Sequence, residues 1–235
     1  MIASVSIVTY PREELRWAFG RMGLDRPDLA KAPGLTFKRL VGTAKGTSFA
    51  WKPDLLRWGL VAAWSSEEHL DAFLADSPIV QRWHEHASEV WTMRMVPVKS
   101  AGAWGGSNPF PAQPPPPGDG PYAVITRATL RARKTRQFYA AVPPIDLDLE
   151  RNPGLLASIG FGESPLGRQG TLSVWSSQQA MKDFAYGTEA HREAIRRRTQ
   201  EAWYSEELFA RFRPTATEGT LAGSDPLADL LAARA

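Results

Sequence analysis

Apolar and polar residues alternate from Val5 to Thr9, which predicts an opening strand. Pro11 ahead of Glu13 and Glu14 suits a helix start, and Leu15, Phe19 and Met22 follow at helical spacing. A Pro33-Gly34 turn leads to a second predicted strand, Leu35 to Val41, and a third covers Trp58 to Trp64. Ser65 or Ser66 can cap the next helix, with Glu67 and Glu68 in its first turn and Leu70, Phe73 and Leu74 as its apolar stripe. Another helical stretch starts at Ser77-Pro78 and runs toward Trp91, ahead of a strand near Thr92 to Val98. The order is β-α-β-β-α-β.

The same order then recurs. Strands are predicted at Ala123 to Ala128, Leu155 to Phe161, Gly170 to Trp175 and near Leu208 to Arg213, with helices at Lys134 to Ala141, Gln178 to Tyr186 and Glu189 to Trp203. The residues repeat as well as the pattern. Pro33-Gly34-Leu35 with Gly42 answers Pro153-Gly154-Leu155 with Gly162, at an offset of 120. Ala62-Ala63-Trp64-Ser65-Ser66 answers Ser173-Val174-Trp175-Ser176-Ser177 at 111, and Gly106-Ser107-Asn108-Pro109-Phe110 answers Gly223-Ser224-Asp225-Pro226-Leu227. The expected architecture is therefore α+β: two tandem ferredoxin-like repeats whose sheets pack together, with a core or a ligand cavity between them. The expected boundaries are 1–110 and 121–227, joined by a proline-rich linker at 111–120, with a tail at 228–235.

Composition narrows the chemistry. The 235 residues are 43% hydrophobic and 23% charged, within the globular range, and the net charge of +3 is spread over both halves. Arg131 to Arg136 and Arg196-Arg197-Arg198 fall on helix-like segments and read as solvated faces, so nucleic acid is not an expected partner. The absence of cysteine excludes disulfides, thiolate nucleophiles and thiolate-bound iron. No apolar run reaches the length of a membrane span, and the first ten residues lack the features of a signal peptide, so the expected setting is cytoplasmic. Gly160-Phe161-Gly162 lacks the third glycine of a dinucleotide fingerprint, and no Gly-x-Ser-x-Gly elbow occurs.

Thr126-Arg127-Ala128-Thr129, the turn from Gly160 to Pro165, Phe184-Ala185-Tyr186 with His191 to Ile195, and above all Trp203 to Phe212 resemble the spheroidene monooxygenase family of carotenoid biosynthesis. Ser100 to Gly105 with Asn108-Pro109-Phe110 fits as well, so the resemblance spans most of the chain; residues 1–60 match only loosely, and the second-copy counterpart of Trp104 is Leu221. The resemblance implies a dimeric α+β barrel fold, oxygen-dependent ketone insertion on a polyene, and a haem cofactor. An apolar small-molecule substrate and an external electron donor would then be its partners.

Among the four histidines, His84 and His86 would point about 200° apart on a helix, which argues against joint ligation, and His69 sits beside two glutamates. His191 falls in the first turn of a predicted helix, where the dipole favours the neutral, iron-binding imidazole. The offset of 111 places Val80 opposite it, so one copy has a hydrophobe where the other has a metal ligand type. A hydrogen-bonded core histidine is the competing reading. Arg127 and Arg198 are the candidate partners for haem propionates, though either could equally close an ion pair with Glu163, Glu206 or Glu207. Two further functions stay open: a cofactor-free barrel monooxygenase acting on a small aromatic substrate, and a non-catalytic carrier of haem or another hydrophobic ligand. Self-association through exposed helices also stays open.

Overall fold

The computed structural model describes residues 1–46, 53–164, 167–187 and 202–233, with every side chain except those at 141–146 and 186. Its first half runs β1 (Ile2–Thr9), α1 (Leu15–Leu24), α2 (Arg26–Lys31), β2 (Leu35–Ala44), β3 (Pro53–Trp64), α3 (Glu67–Asp76), α4 (Pro78–His86) and β4 (Glu89–Gly102). The second runs β5 (Tyr122–Leu130), α5 (Thr135–Glu150), β6 (Leu155–Gly162), β7 (Arg168–Trp175), α6 (Gln178–Gly187), β8 (Tyr204–Gly219) and a short α7 (Ala228–Ala232). All eight strands close into one antiparallel barrel in the order β1-β3-β2-β6-β7-β5-β8-β4. Within it the first four strands lie 4-1-3-2 and the last four 8-5-7-6, which is the same arrangement.

The two sets meet at their edges, through seams of unequal length. The β4–β8 seam is registered from Trp91–Gly219 to Gly102–Leu208. The β2–β6 seam holds only Gly42–Gly162 and Thr43–Phe161, because β6 ends where β2 still has its Leu35–Val41 stretch to run.

Side-chain alternation assigns the two faces of the sheet. Inward positions such as Val5, Ile7, Val61, Met93, Ile125, Leu172 and Phe212 form a single buried core, so among the described residues the interior is packed. Outward positions sit under the helices. In the first half Leu60, Ala62 and Trp64 pack with Leu70, Phe73, Ile79, Val80 and Trp83 of α3 and α4 in one cluster. In the second half the outer face carries two smaller clusters, one around Tyr122, Trp175, Met181 and Phe184 and one around Leu130, Phe138 and Trp203.

Several elements outrun their predicted ends. β8 extends to Gly219 because β4 pairs with it from Leu208 to Gly219, with an irregularity absorbed near Pro214. α5 continues to Glu150, anchored by buried Leu149 against Tyr122 and Trp175. The helix expected over Glu189 to Trp203 lies mostly outside the described residues. Its predicted end is corrected: Ala202 has φ 48° and Trp203 precedes β8 without helical structure. Ser66 does occupy the position before α3, but its hydroxyl meets His69 Nδ1 at 2.9 Å and caps no backbone N–H.

Candidate functional site

Both ends of the barrel are plugged by turns of the same construction. After β4, Gly102 (φ 91°) redirects the chain, Trp104 N–H donates to the Ser107 carbonyl at 2.8 Å, and Asn108 Oδ1 accepts from Phe110 N–H at 3.0 Å. After β8, Gly219 (φ 78°), Leu221 with Ser224 (2.8 Å) and Asp225 with Leu227 (3.0 Å) repeat every contact. These turns drive Trp104 and Phe110 into one mouth and Leu227 into the other, all fully buried.

Each plug is held by a glutamate from the other half. Glu206 accepts from the Gly105 and Gly106 amides at 3.1 and 2.7 Å, and Glu89 accepts from Ala222 and Gly223 at 2.9 and 2.7 Å. Burial pushes both carboxyls up, but these bonds outweigh it and hold them below the usual carboxylate range, with Arg127 helping at Glu206 and Thr220 at Glu89.

The two mouths differ in what surrounds that shared frame. Around Glu89 the strand positions carry Ile7, Ile159 and Thr43. Around Glu206 the same positions carry Arg127, Arg39 and Glu163. Arg127 points into the barrel and is only 2% exposed. Its Nε and Nη2 reach Glu163 Oε1 at 2.8 and 2.7 Å, and its Nη1 pairs with Glu206. Glu163 also takes Arg39 Nε at 3.2 Å, and the Arg127 guanidinium lies 5.7 Å from the centre of the Trp104 ring. Trp104 in turn stacks on Phe161 (5.9 Å, 12°), and its indole N–H finds no acceptor among the described residues.

Outside this network a cleft of about 610 Å³ opens where β2 runs past the end of β6. Arg26, Lys38, Arg39, Arg127 and Arg168 bring five cations to it, against the carboxylates of Glu163 and Glu206, with Leu29 and Leu40 on one side. Burial without an acidic partner lowers the Lys38 pKa.

Of the residues expected around a cofactor, only Arg127 is described. It faces the barrel interior with its guanidinium engaged by two carboxylates, whereas α6 packs on the outer face. His191 and Arg198 lie outside the described residues. The remaining histidines have structural partners or face solvent: His69 meets Ser65 and Ser66, His86 stacks on Trp17 at 3.8 Å and pairs with Glu14, and His84 is exposed. Among the described residues no group of three or more acidic, histidine or cysteine side chains could hold a metal ion.

The outer face of the second sheet has a different character from that of the first. Where the first half has Leu60, Trp58 and Val8, the second has Thr171, Gln169 and Ala128. The Thr171 hydroxyl and the Gln169 carbonyl oxygen are buried without a partner among the described residues. Sequence reasoning missed both this polar patch and the exchange of glutamates between plugs. The second was readable, because the plug offset of 117 maps Glu89 onto Glu206.

No family model matches the chain. It is 37% identical over 232 residues to the spheroidene monooxygenase of Rhodobacter capsulatus, covering 97% of this chain and 95% of that protein. It is 35% identical over 233 residues to the spheroidene monooxygenase of Cereibacter sphaeroides, covering 98% and 72%. Among solved structures, an aldoxime dehydratase superposes with a TM-score of 0.59 at 9% identity, covering 96% of this chain and 81% of that one, a likeness of fold alone.

Proposed function

The chain belongs to the spheroidene monooxygenase family and is a monooxygenase, and from that premise we propose that it depends on haem and oxidises an apolar, polyene-like substrate of the carotenoid type. His191 is the ligand to iron in this reading, and Arg198 is a partner for the propionates. Arg127 belongs instead to the barrel mouth, where two carboxylates already occupy it.

The observation that carries the reading is the contrast between the outer faces. In the first half Val80 is buried on α4 and closes an apolar cluster over Leu60 and Trp64. Its counterpart by the offset of 111 is His191. The outer face of the sheet differs between the halves as well, from Leu60 and Trp58 to Thr171 and Gln169. A fully apolar packing would leave the Thr171 hydroxyl and Gln169 carbonyl as costly orphans. Beside them Trp175 and Phe184 pack on each other at 5.2 Å, and half-buried Phe209 adds aromatic surface suited to a flat ring system or a polyene. These residues therefore fit a largely apolar cofactor with polar requirements at one place.

Haem, when bound, supplies the activation of oxygen, and an external electron donor is needed because one atom of O2 leaves as water. The chain's own residues exclude solvent and orient the substrate. The matching strand orders and plug turns support reading the chain as tandem ferredoxin-like units, 1–110 and 121–227, the second having taken on the chemistry.

The test is an absorption spectrum of protein made with ample haem, beside His191→Ala. A Soret band that His191→Ala loses supports the assignment. A band unchanged in that variant, or full turnover by protein prepared without haem, refutes it.

A further inference from the structure

Among the described residues, three of the five large apolar side chains that stand well exposed belong to one region: Phe19 (65%), Leu24 (62%) and Leu55 (49%). Phe19 lies edge-on to Trp58 at 5.9 Å, and the Trp58 indole N–H donates to the Leu55 carbonyl at 2.9 Å. Leu24 ends α1, one residue before Asp25 and two before Arg26 on the cleft rim. Trp58 also lies opposite Gly42, which pairs with Gly162 at the short seam where the cleft begins. The apolar cluster and the cationic cleft thus share one face.

The charges on that face are unbalanced. Its acids are committed: Asp25 and Asp28 to Arg82 at 2.8 and 2.9 Å, Glu163 to Arg39 and Arg127, and Glu206 to Arg127 and the plug amides. Arg26, Lys38 and Arg168 have no carboxylate partner among the described residues. Exposed Phe and Leu beside a cleft of unneutralised cations form the pattern of a peripheral membrane surface: apolar side chains enter the acyl boundary and the cations meet lipid phosphates.

We propose that the face formed by α1, α2, the start of β3 and the rim of the cleft docks on an anionic lipid bilayer, with Phe19, Leu24 and Leu55 inserted and Arg26, Lys38 and Arg168 on the headgroups. The occupant is a bilayer and not a soluble anion, because the cations alone would serve a free phosphate and leave the apolar cluster unexplained. The proposal depends only on this surface, so it stands apart from the haem reading.

The experiment is co-sedimentation of the full chain with vesicles of phosphatidylcholine containing phosphatidylglycerol, against pure phosphatidylcholine, at low and raised salt. Binding to the anionic vesicles is expected, weakening with salt. Phe19→Ser and Leu24→Ser each reduce it roughly tenfold or more. Lys38→Gln with Arg168→Gln reduces it roughly twentyfold or more on anionic vesicles only. Thermal melts of all variants check that they fold, and no substrate or cofactor enters the assay, so its failure and that of the proposed activity are separable. The proposal is overturned by no binding, by binding indifferent to Phe19→Ser and Leu24→Ser, by equal displacement with inorganic phosphate, or by a dimer without lipid that Phe19→Ser dissolves.

Discussion

Replacing Arg127 by Met tests whether the mouth network holds the barrel. The substitution keeps a long side chain in the interior and removes the charge that Glu163 and Glu206 share. Breaking a buried pair by deleting one partner costs about 3–5 kcal/mol. Here the orphaned acids keep some support: Glu163 retains Arg39 at 3.2 Å, and Glu206 retains two amides at 3.1 and 2.7 Å. The loss therefore sits at the low end, about 3 kcal/mol, including a smaller part from the cation over Trp104. For a chain of this length that lowers the melting midpoint by roughly 6–12 °C. Ile7→Met is the control at the equivalent position of the other mouth, expected to cost under about 1.5 kcal/mol. Adding Glu206→Gln to Arg127→Met should recover stability, since it removes one of the stranded charges. Urea unfolding of the three single variants and the double variant at neutral pH reads all of this. A loss below about 1 kcal/mol for Arg127→Met, or strict additivity with Glu206→Gln, would refute the network as a stabilising unit.

The carboxyl of Glu206 is held below the ordinary range, so its contribution is present above the unfolded pKa and lost as pH falls through the folded value. Wild type should weaken along that acid limb, and Glu206→Gln should flatten it in urea titrations at stepped pH. Gly102→Ala and Gly219→Ala should each cost about 3 kcal/mol or more, because both positions have positive φ and a new Cβ would strike the carbonyl of Glu207 or Val90; recovery of folded protein and melting midpoints report this. Asn108→Ala should cost about 1 kcal/mol by chemical denaturation, from the amide bonded inside its turn. Asp225→Ala should cost more, as it also frees the buried Trp91 indole N–H, bonded at 3.1 Å.

The strands were legible because they are short runs rich in apolar and β-branched residues between turn signals, several of them buried on both faces, as in β1 and the second half of β3. Their lengths were less so. Pro214 at one end and Glu206-Glu207 at the other hid the full extent of β8, whose pairing with β4 is a long-range fact that no local window carries. Arg127 stood out as a charge among apolar neighbours, and Glu163 and Glu206 were among the partners its environment allowed. Its inward direction followed from alternation with Ala123 and Ile125, but its being walled in by Trp104 did not, since Trp104 reaches it only after the barrel closes and the plug turn forms. The surface cluster of Phe19, Leu24 and Leu55 was likewise illegible. Phe19 reads as part of an apolar helical stripe with Leu15 and Met22, and only the placement of α1 leaves it in solvent.

At the Glu206 mouth, charged side chains continue where backbone pairing between the two halves stops. Backbone pairing between β2 and β6 stops at Gly42–Gly162, so at that point water reaches the rim. Apolar side chains there would stay wet and hold nothing together. Arg39 and Glu163 sit just beyond the last pair, one on each strand's path, and their 3.2 Å bond continues across the gap where the ladder ends. Arg127 extends the link through β5 to Glu206 on β8, and Glu206 ends it on the plug amides. Four strand paths and a turn are thereby joined through side chains that tolerate solvent. The charged network is thus first a substitute for missing backbone pairing, which is why its loss should register in stability before it registers in turnover.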